Sequence, residues 1–264
     1  MAIQALHIVK HINQPIVLHI LRNDQIRKYR NDFTDEDFKN YEKFMQFLFE
    51  GTAVIIKMQK NDLPTFEQTF GSETACKFYT INCLSHLSKP DYPLLGEKYV
   101  TINTKLTPTS TGDYSYLTPT YHRIKSQLYD ILNSSNFPVV ILGERAVGDC
   151  FEYKVLHDNF EMYTEHIKNL KNVVDVTYSE SKKGYDIEEF SKTCNYLNNS
   201  VLNIFIGNGG GIHLYCSFPN TCQLGVFDRL LENIPLENIK TNPITTKSGE
   251  EFISNVSKKL LNLK

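Results

Sequence analysis

The sequence predicts an α/β protein: a Rossmann-like domain over residues 98–264, preceded by a smaller, compressed α/β segment over residues 1–90. Three observations carry this reading. Short apolar runs alternate with amphipathic helical segments from Tyr99 to the end of the chain. These runs are apolar on both faces, as strands of a parallel sheet covered by helices on both sides must be. One of them, Val201–Ile206, runs into a glycine-rich turn, Gly207-Asn208-Gly209-Gly210-Gly211, which opens onto an apolar helix start at Ile212–Phe218.

The elements follow in order. In the first half, Pro15 precedes an apolar run, Ile16–Leu21, and Ala53–Met58 has the make-up of a strand. Between them Thr34 caps a helix with Phe38, Tyr41, Phe44, Met45 and Leu48 on one face, ending at Gly51. Phe66–Phe70 reads as helix and Lys77–Ile81 as strand; the Pro-rich, aperiodic Ser88–Glu97 is the domain boundary. In the second half, Tyr99–Thr104 is a strand. Thr118-Pro119 starts a helix carrying Tyr121, Ile124, Leu128, Ile131 and Leu132. Val139–Leu142 is a strand. Asp158 and Glu161 have capping-box spacing ahead of Tyr163, Ile167 and Leu170. Val173–Val176 is a strand, and Asp186 with Glu189 repeats the capping box before Phe190, Cys194 and Leu197. After the glycine turn come a fifth strand, Gln223–Phe227, and a last helix capped by Ser248 and Glu251 and carrying Phe252, Ile253, Val256, Leu260 and Leu261.

Composition narrows the function classes. The 264 residues include 28 basic and 30 acidic side chains, a net charge of −2. That balance argues against a nucleic-acid binder held by broad electrostatics. No stretch approaches the ~20 apolar residues of a membrane span. The N-terminal MAIQALHIVKHINQP lacks the layout of a signal peptide. Cys76, Cys83, Cys150, Cys194, Cys216 and Cys222 form no CxxC pair and read as reduced, mostly buried thiols of a cytoplasmic protein.

The glycine turn is the feature with the most chemistry. A strand, then glycines, then a helix start leaves backbone N–H groups exposed with no side chains in the way, which suits a phosphate or diphosphate. The plain reading is a turn needing positive φ angles; three consecutive glycines, Gly209, Gly210 and Gly211, exceed that need. Ligands of open α/β sheets sit at the carboxyl ends of the strands. Those ends carry Lys105, Gly143-Glu144-Arg145, and Asn208 to Gly211 with His213. Lys105 and Arg145 are candidate diphosphate partners, against a plain surface role; Arg123 is a weaker one, since it lies inside a helix. Glu144 is a candidate for a ribose or sugar diol, against a salt bridge to its neighbour. His213 and Asn208 divide evenly between ligand contact and local structure; Asp228 reads better as a cap, and Glu152 carries a lesser weight.

The same residues resemble a family. The run Asn208-Gly209-Gly210-Gly211-Ile212-His213 is similar to the Asp-Thr-Gly-x-x-His segment of the donor-binding domain of GT-B glycosyltransferases of the heptosyltransferase-like kind. Gln223-Leu224-Gly225-Val226-Phe227 follows at a suitable distance, and VVILGER, Val139–Arg145, resembles that family's second strand and Gly-x-Glu ending. Asn208 stands where the family has Asp, and the first half is far shorter than a GT-B acceptor domain. The resemblance spans about residues 98–264. It implies two Rossmann-like domains of GT-B type, the N-terminal one short and atypical. It implies a nucleotide-diphosphate sugar donor held by Lys105, Gly143, Glu144, Arg145, Asn208, Gly209, Gly210, Gly211 and His213, with a glycan or other hydroxyl acceptor approaching from residues 1–90. It implies transfer without a metal or other cofactor, the leaving group being stabilised by helix N-termini and basic side chains.

Other readings stay open. One is a nucleotide-sugar epimerase or hydrolase of the same architecture; another is a non-catalytic module binding a nucleotide or a protein partner. NAD binding fits less well, because the dinucleotide fingerprint follows the first strand of its domain and this turn follows the fourth. No general base is assigned: His11, His19 and Asp62 qualify by residue type alone. Asp35-Glu36-Asp37 has a D-x-D pattern, but acids at a helix start simply favour the dipole, and the His and Cys residues lack zinc spacing.

Overall fold

The computed structural model describes residues 3, 5–6, 9–10, 16–22, 35–52, 54–60, 84–87, 96, 98–103, 119–143, 167–177, 186–207, 214–215, 217–225, 244–246 and 249–263. The chain is an α/β protein built on a parallel sheet. The first strands and helix are β1 (Ile16–Arg22), α1 (Asp35–Leu48) and β2 (Val54–Lys60). A single 3-10 turn, Ser85–Leu87, precedes β3 (Val100–Asn103). Then come α2 (Pro119–Ser135), β4 (Val139–Leu142), β5 (Val173–Asp175), α3 (Ile187–Asn199), β6 (Leu202–Gly207), β7 (Thr221–Gly225), β8 (Ile244–Thr246) and α4 (Gly249–Leu261).

Six strands form one sheet in the order β5-β4-β3-β6-β7-β8, with every neighbouring pair parallel. Numbered within the sheet this is 3-2-1-4-5-6, the doubly wound order of Rossmann-like domains. The chain builds outward from β3 to β5, then returns across β3 to lay down β6, β7 and β8. Crossovers of one hand put their helices on opposite faces when the winding direction reverses. The helices obey this. Ile124, Leu128 and Leu132 of α2 pack with Phe252, Val256 and Leu260 of α4 on Val100, Ile102, Val139, Ile141, Leu202 and Ile204. Cys194 and Leu197 of α3 pack on the other face, against Tyr99, Val140, Leu142 and Phe205.

Local signals set the helix ends. Asp186 caps α3, its carboxylate accepting from the N–H groups of Glu188 and Glu189 at 2.9 and 3.1 Å. Pro119 opens α2, and Asn136, with φ +64°, ends it in the left-handed conformation that Asn tolerates. Asn133 ties the end of α2 to the approach to β5: its amide donates to the Asn169 carbonyl at 2.8 Å and accepts from the Lys171 N–H at 2.9 Å.

β1 and β2 form a separate two-stranded parallel sheet, with α1 as the connection between them. Phe44, Met45 and Leu48 of α1 lie in the same core as α3 and the large sheet, together with Leu6, Val9, Leu84 and Leu87. The Phe44 and Phe190 rings meet edge to face, 5.1 Å apart. The first segment therefore shares a core with the sheet.

Three details differ from the sequence reading. β8 was not foreseen; Ile244-Thr245-Thr246 carries one aliphatic side chain, and an edge strand forms through its ladder to β7 without an apolar pattern. Ile167 and Leu261, grouped in the sequence with the apolar residues of their helices, are 41% and 67% exposed, while Leu170 and Leu260 are buried. The fifth strand spans Thr221–Gly225, starting two residues earlier than expected, because Asn203 N–H bonds the Asn220 carbonyl and draws the chain into the ladder there. The expected elements Phe66–Phe70 and Lys77–Ile81 lie outside the described residues.

Candidate functional site

The winding direction reverses between β3 and β6, and the carboxyl ends of those strands flank the crevice where doubly wound sheets bind ligands. β3 and β6 pair Val100 with Leu202, Thr101 with Asn203 and Ile102 with Ile204. They are locked side by side through one buried amide. The Asn203 carbonyl oxygen accepts from the Thr101 hydroxyl at 2.7 Å and from the Ser200 hydroxyl, while its Nδ2 donates to the carbonyls of Leu197 at 2.9 Å and Pro219 at 3.3 Å. One side chain thus joins both strands at the switch point to the end of α3 and to the turn before β7.

β3 lies between β4 and β6, about 5 Å from each, and its last residue, Asn103, is level with Leu142 at the end of β4 and two residues short of Gly207 at the end of β6. Gly143 leaves β4 with φ +107°, a backbone conformation that side chains rarely adopt, so glycine is required there by the chain direction alone. Glu144 follows it directly. Lys105 comes two residues after the end of β3, no more than ~7 Å of chain away. Asn208 follows the last residue of β6. The sequence-predicted residues Lys105, Glu144, Arg145, Asn208, Gly209, Gly210, Gly211 and His213 themselves lie outside the described residues, as do Glu152, Asp228, His11 and Asp62. Arg123 is described and exposed; its guanidinium lies 3.6 Å from the Glu250 carboxylate of α4, on the outer side of the α2 layer. Asp35, Glu36 and Asp37 open α1.

Two polar residues not singled out by the sequence pattern stand at this switch point. Asn103 ends β3 and is half-buried. Tyr215, in the turn of helix after the glycines, is fully buried against Phe205 of β6, with ring centroids 4.9 Å apart. Its hydroxyl faces the Asn103 side chain without closing a hydrogen bond of good geometry. Burial pushes the phenol pKa well up, and the Asn103 side chain works the other way. Leaving a buried hydroxyl in that state costs about 1–3 kcal/mol. In the sequence Asn103 is one residue inside the expected Tyr99–Thr104 strand and Tyr215 lies within the apolar Ile212–Phe218 helix start, so neither carries a signal of its own.

The remaining shifted groups are structural. Tyr99, at the amino end of β3, donates to the Tyr196 carbonyl at 3.0 Å, and burial followed by the nearby Tyr196 phenol raises its pKa. Cys194 and Cys222 are buried thiols in no disulfide. Burial pushes the Cys222 thiol up to about 11, against an opposing pull from Lys259. Among the described residues no three His, Cys, Asp or Glu side chains come together, and no helix is long and apolar enough to cross a membrane. Comparison with known protein families, with curated proteins and with solved structures gives no match.

Proposed function

We propose that this chain binds a nucleotide-diphosphate sugar at the switch point of its six-stranded sheet and transfers the sugar to a glycan or other hydroxyl acceptor, in the manner of a metal-independent GT-B glycosyltransferase. The observation that carries the proposal is the reversal of strand order between β3 and β6, with the glycine-rich segment leaving β6 and Lys105 following β3. The backbone N–H groups of Gly209–Gly211 would take the diphosphate, whose negative charge grows as the sugar leaves. Lys105 and Arg145 would add full positive charge, and Glu144 would hold a ribose or sugar diol. Residues 1–90 would form the acceptor side.

A thermal-shift series with UDP, GDP, ADP, CMP and their sugars tests the donor, since a ligand that binds the folded state raises the melting temperature by mass action. Gly210→Val puts a side chain in the phosphate's path and should weaken nucleotide binding at least about tenfold, or ~1.4 kcal/mol. Unchanged binding in a folded Gly210→Val protein removes the site. Turnover in excess EDTA tests the absence of a metal requirement, and loss restored by Mg²⁺ would reassign the class.

One observation favours a second reading, a non-catalytic nucleotide- or partner-binding module: α1 and the 84–87 turn share the core of the large sheet's face. Release of nucleoside diphosphate from the best-binding sugar nucleotide, with and without hydroxyl acceptors, separates the two. Binding without release supports the module; acceptor-independent release supports a hydrolase.

A further inference from the structure

Side chains alternate across a strand, so Asn103 shares a face with Thr101, and Phe205 shares that face with Asn203. Thr101 and Asn203 are partners in the β3–β6 register, which brings Asn103 level with Phe205, one step beyond Ile102 and Ile204. Tyr215 lies on Phe205 and reaches from β6 toward β3, so that its hydroxyl faces Asn103. The Tyr215 backbone is pinned: its carbonyl accepts from the Thr221 hydroxyl at 3.1 Å and from the Phe218 N–H at 3.1 Å. A fully buried hydroxyl whose hydrogen bond is not closed gives nothing to the fold that a phenylalanine ring would not give. Among the described residues, the half-buried Asn103 side chain, at the end of the first strand of the switch point, lies beside it.

We propose that the Asn103 amide contacts the diphosphate of the ligand at this switch point, and that the Tyr215 hydroxyl is a positioning residue that sets which end of that amide faces the crevice. This rests on the reading that a nucleoside diphosphate binds there. An anion takes donors, so the two Nδ2 hydrogens face the diphosphate. The amide oxygen then faces inward, toward the phenol, and accepts its proton. Tyr215 is itself too deeply buried to touch the ligand and acts through Asn103.

The test is calorimetric titration of UDP, GDP, ADP and CDP, carrying forward the tightest. Asn103→Ala should weaken its binding by about tenfold, and Asn103→Asp by more, because a carboxylate replaces the donors with like charge. Tyr215→Phe should leave the ligand-free melting temperature unchanged or higher and yet weaken binding severalfold. In the Asn103→Ala background, Tyr215→Phe should change affinity less than twofold, since the group it orients is gone. A structural role predicts the reverse: affinity and melting temperature falling together, by the same amount in both backgrounds, and that result overturns the proposal. So does wild-type affinity in Asn103→Ala. Tyr215→Phe is isosteric, so the proposal remains refutable if the Asn103 variants fail to fold. A wild-type protein that binds none of the four nucleotides refutes the nucleotide reading and this inference with it; a binding protein indifferent to Asn103 refutes the inference alone.

Discussion

Replacing Asn203 by leucine should be among the most damaging single changes in the sheet. The side chain is fully buried, and a leucine of similar size keeps the volume while removing every polar atom. The Thr101 hydroxyl then loses its acceptor at 2.7 Å, and the Leu197 carbonyl loses its donor at 2.9 Å. The Pro219 contact is longer, at 3.3 Å, and the Ser200 hydroxyl retains the Leu197 carbonyl at 3.5 Å, so these two weigh less. The Thr101 hydroxyl left without a partner costs about 1–3 kcal/mol, and loss of the shorter of the two donors to the Leu197 carbonyl costs about 0.5–1.5 kcal/mol more, roughly 1.5–4.5 kcal/mol together. That is a large part of the ~5–15 kcal/mol that holds a typical domain folded. At about 2–4 °C per kcal/mol for a chain of this size, melting should fall by roughly 3–18 °C. Thermal and urea unfolding followed by circular dichroism reads this directly. The diagnostic is the pair: Thr101→Val with Asn203→Leu removes both partners of the strand-to-strand bond, so the double variant should recover part of the loss. A melting temperature within ~2 °C of wild type for Asn203→Leu, or a double variant whose losses simply add, would refute the view that this amide clamps β3 to β6.

Three further outcomes follow from the packing and the site. Gly249→Ala places a methyl 1.9 Å from Ile124 Cδ1 and 2.7 Å from its Cγ1, so α4 must shift or Ile124 must change rotamer. A loss of about 1–3 kcal/mol is expected, partly restored by Ile124→Val, and an unchanged melting temperature would mean the α2–α4 contact yields freely. Iodoacetamide at pH 8 should modify neither Cys194 nor Cys222 in the folded protein and both in urea, read by peptide mass spectrometry. Because burial raises the Cys222 pKa to about 11, its protonated thiol supports the fold fully below the unfolded value of ~8.5, and that support is lost as pH rises through 11; native-state labelling at pH 8 would contradict the burial. Glu144→Gln should raise the donor KM by about one to two decades and leave the acceptor KM alone, as expected for loss of a charged hydrogen bond to a diol. A lost kcat with an unchanged donor KM would make Glu144 a catalytic acid or base.

By itself the sequence determined the local vocabulary of this protein. Val139–Leu142 is a strand because four apolar residues, two of them β-branched valines, sit between a proline and a glycine. Asp186 and Pro119 mark helix starts because a side-chain acceptor or a preset φ satisfies the first turn. The alternation of strands with amphipathic helices, apolar on both strand faces, was enough for a covered parallel sheet. The glycines after β6 were visible because only backbone can explain three in a row. Adjacency was not visible. Nothing near Val100 says that Leu202 will lie beside it, since that pairing is decided by which helix covers which face a hundred residues later. Asn103 and Tyr215 read as an ordinary strand end and an ordinary helix position until the return across β3 brought them together. Asn203 looked like a polar interruption in an apolar run; its four partners come from β3, from the residues that end α3 and from the turn before β7. Likewise α1 was legible as a helix, but not as part of the main core, until Phe44 met Phe190. Propensity and capping act over a few residues and are written locally. Strand order, buried polar pairing and the position of the crevice arise from burying surfaces far apart in the chain, and only the folded structure brings those surfaces into contact.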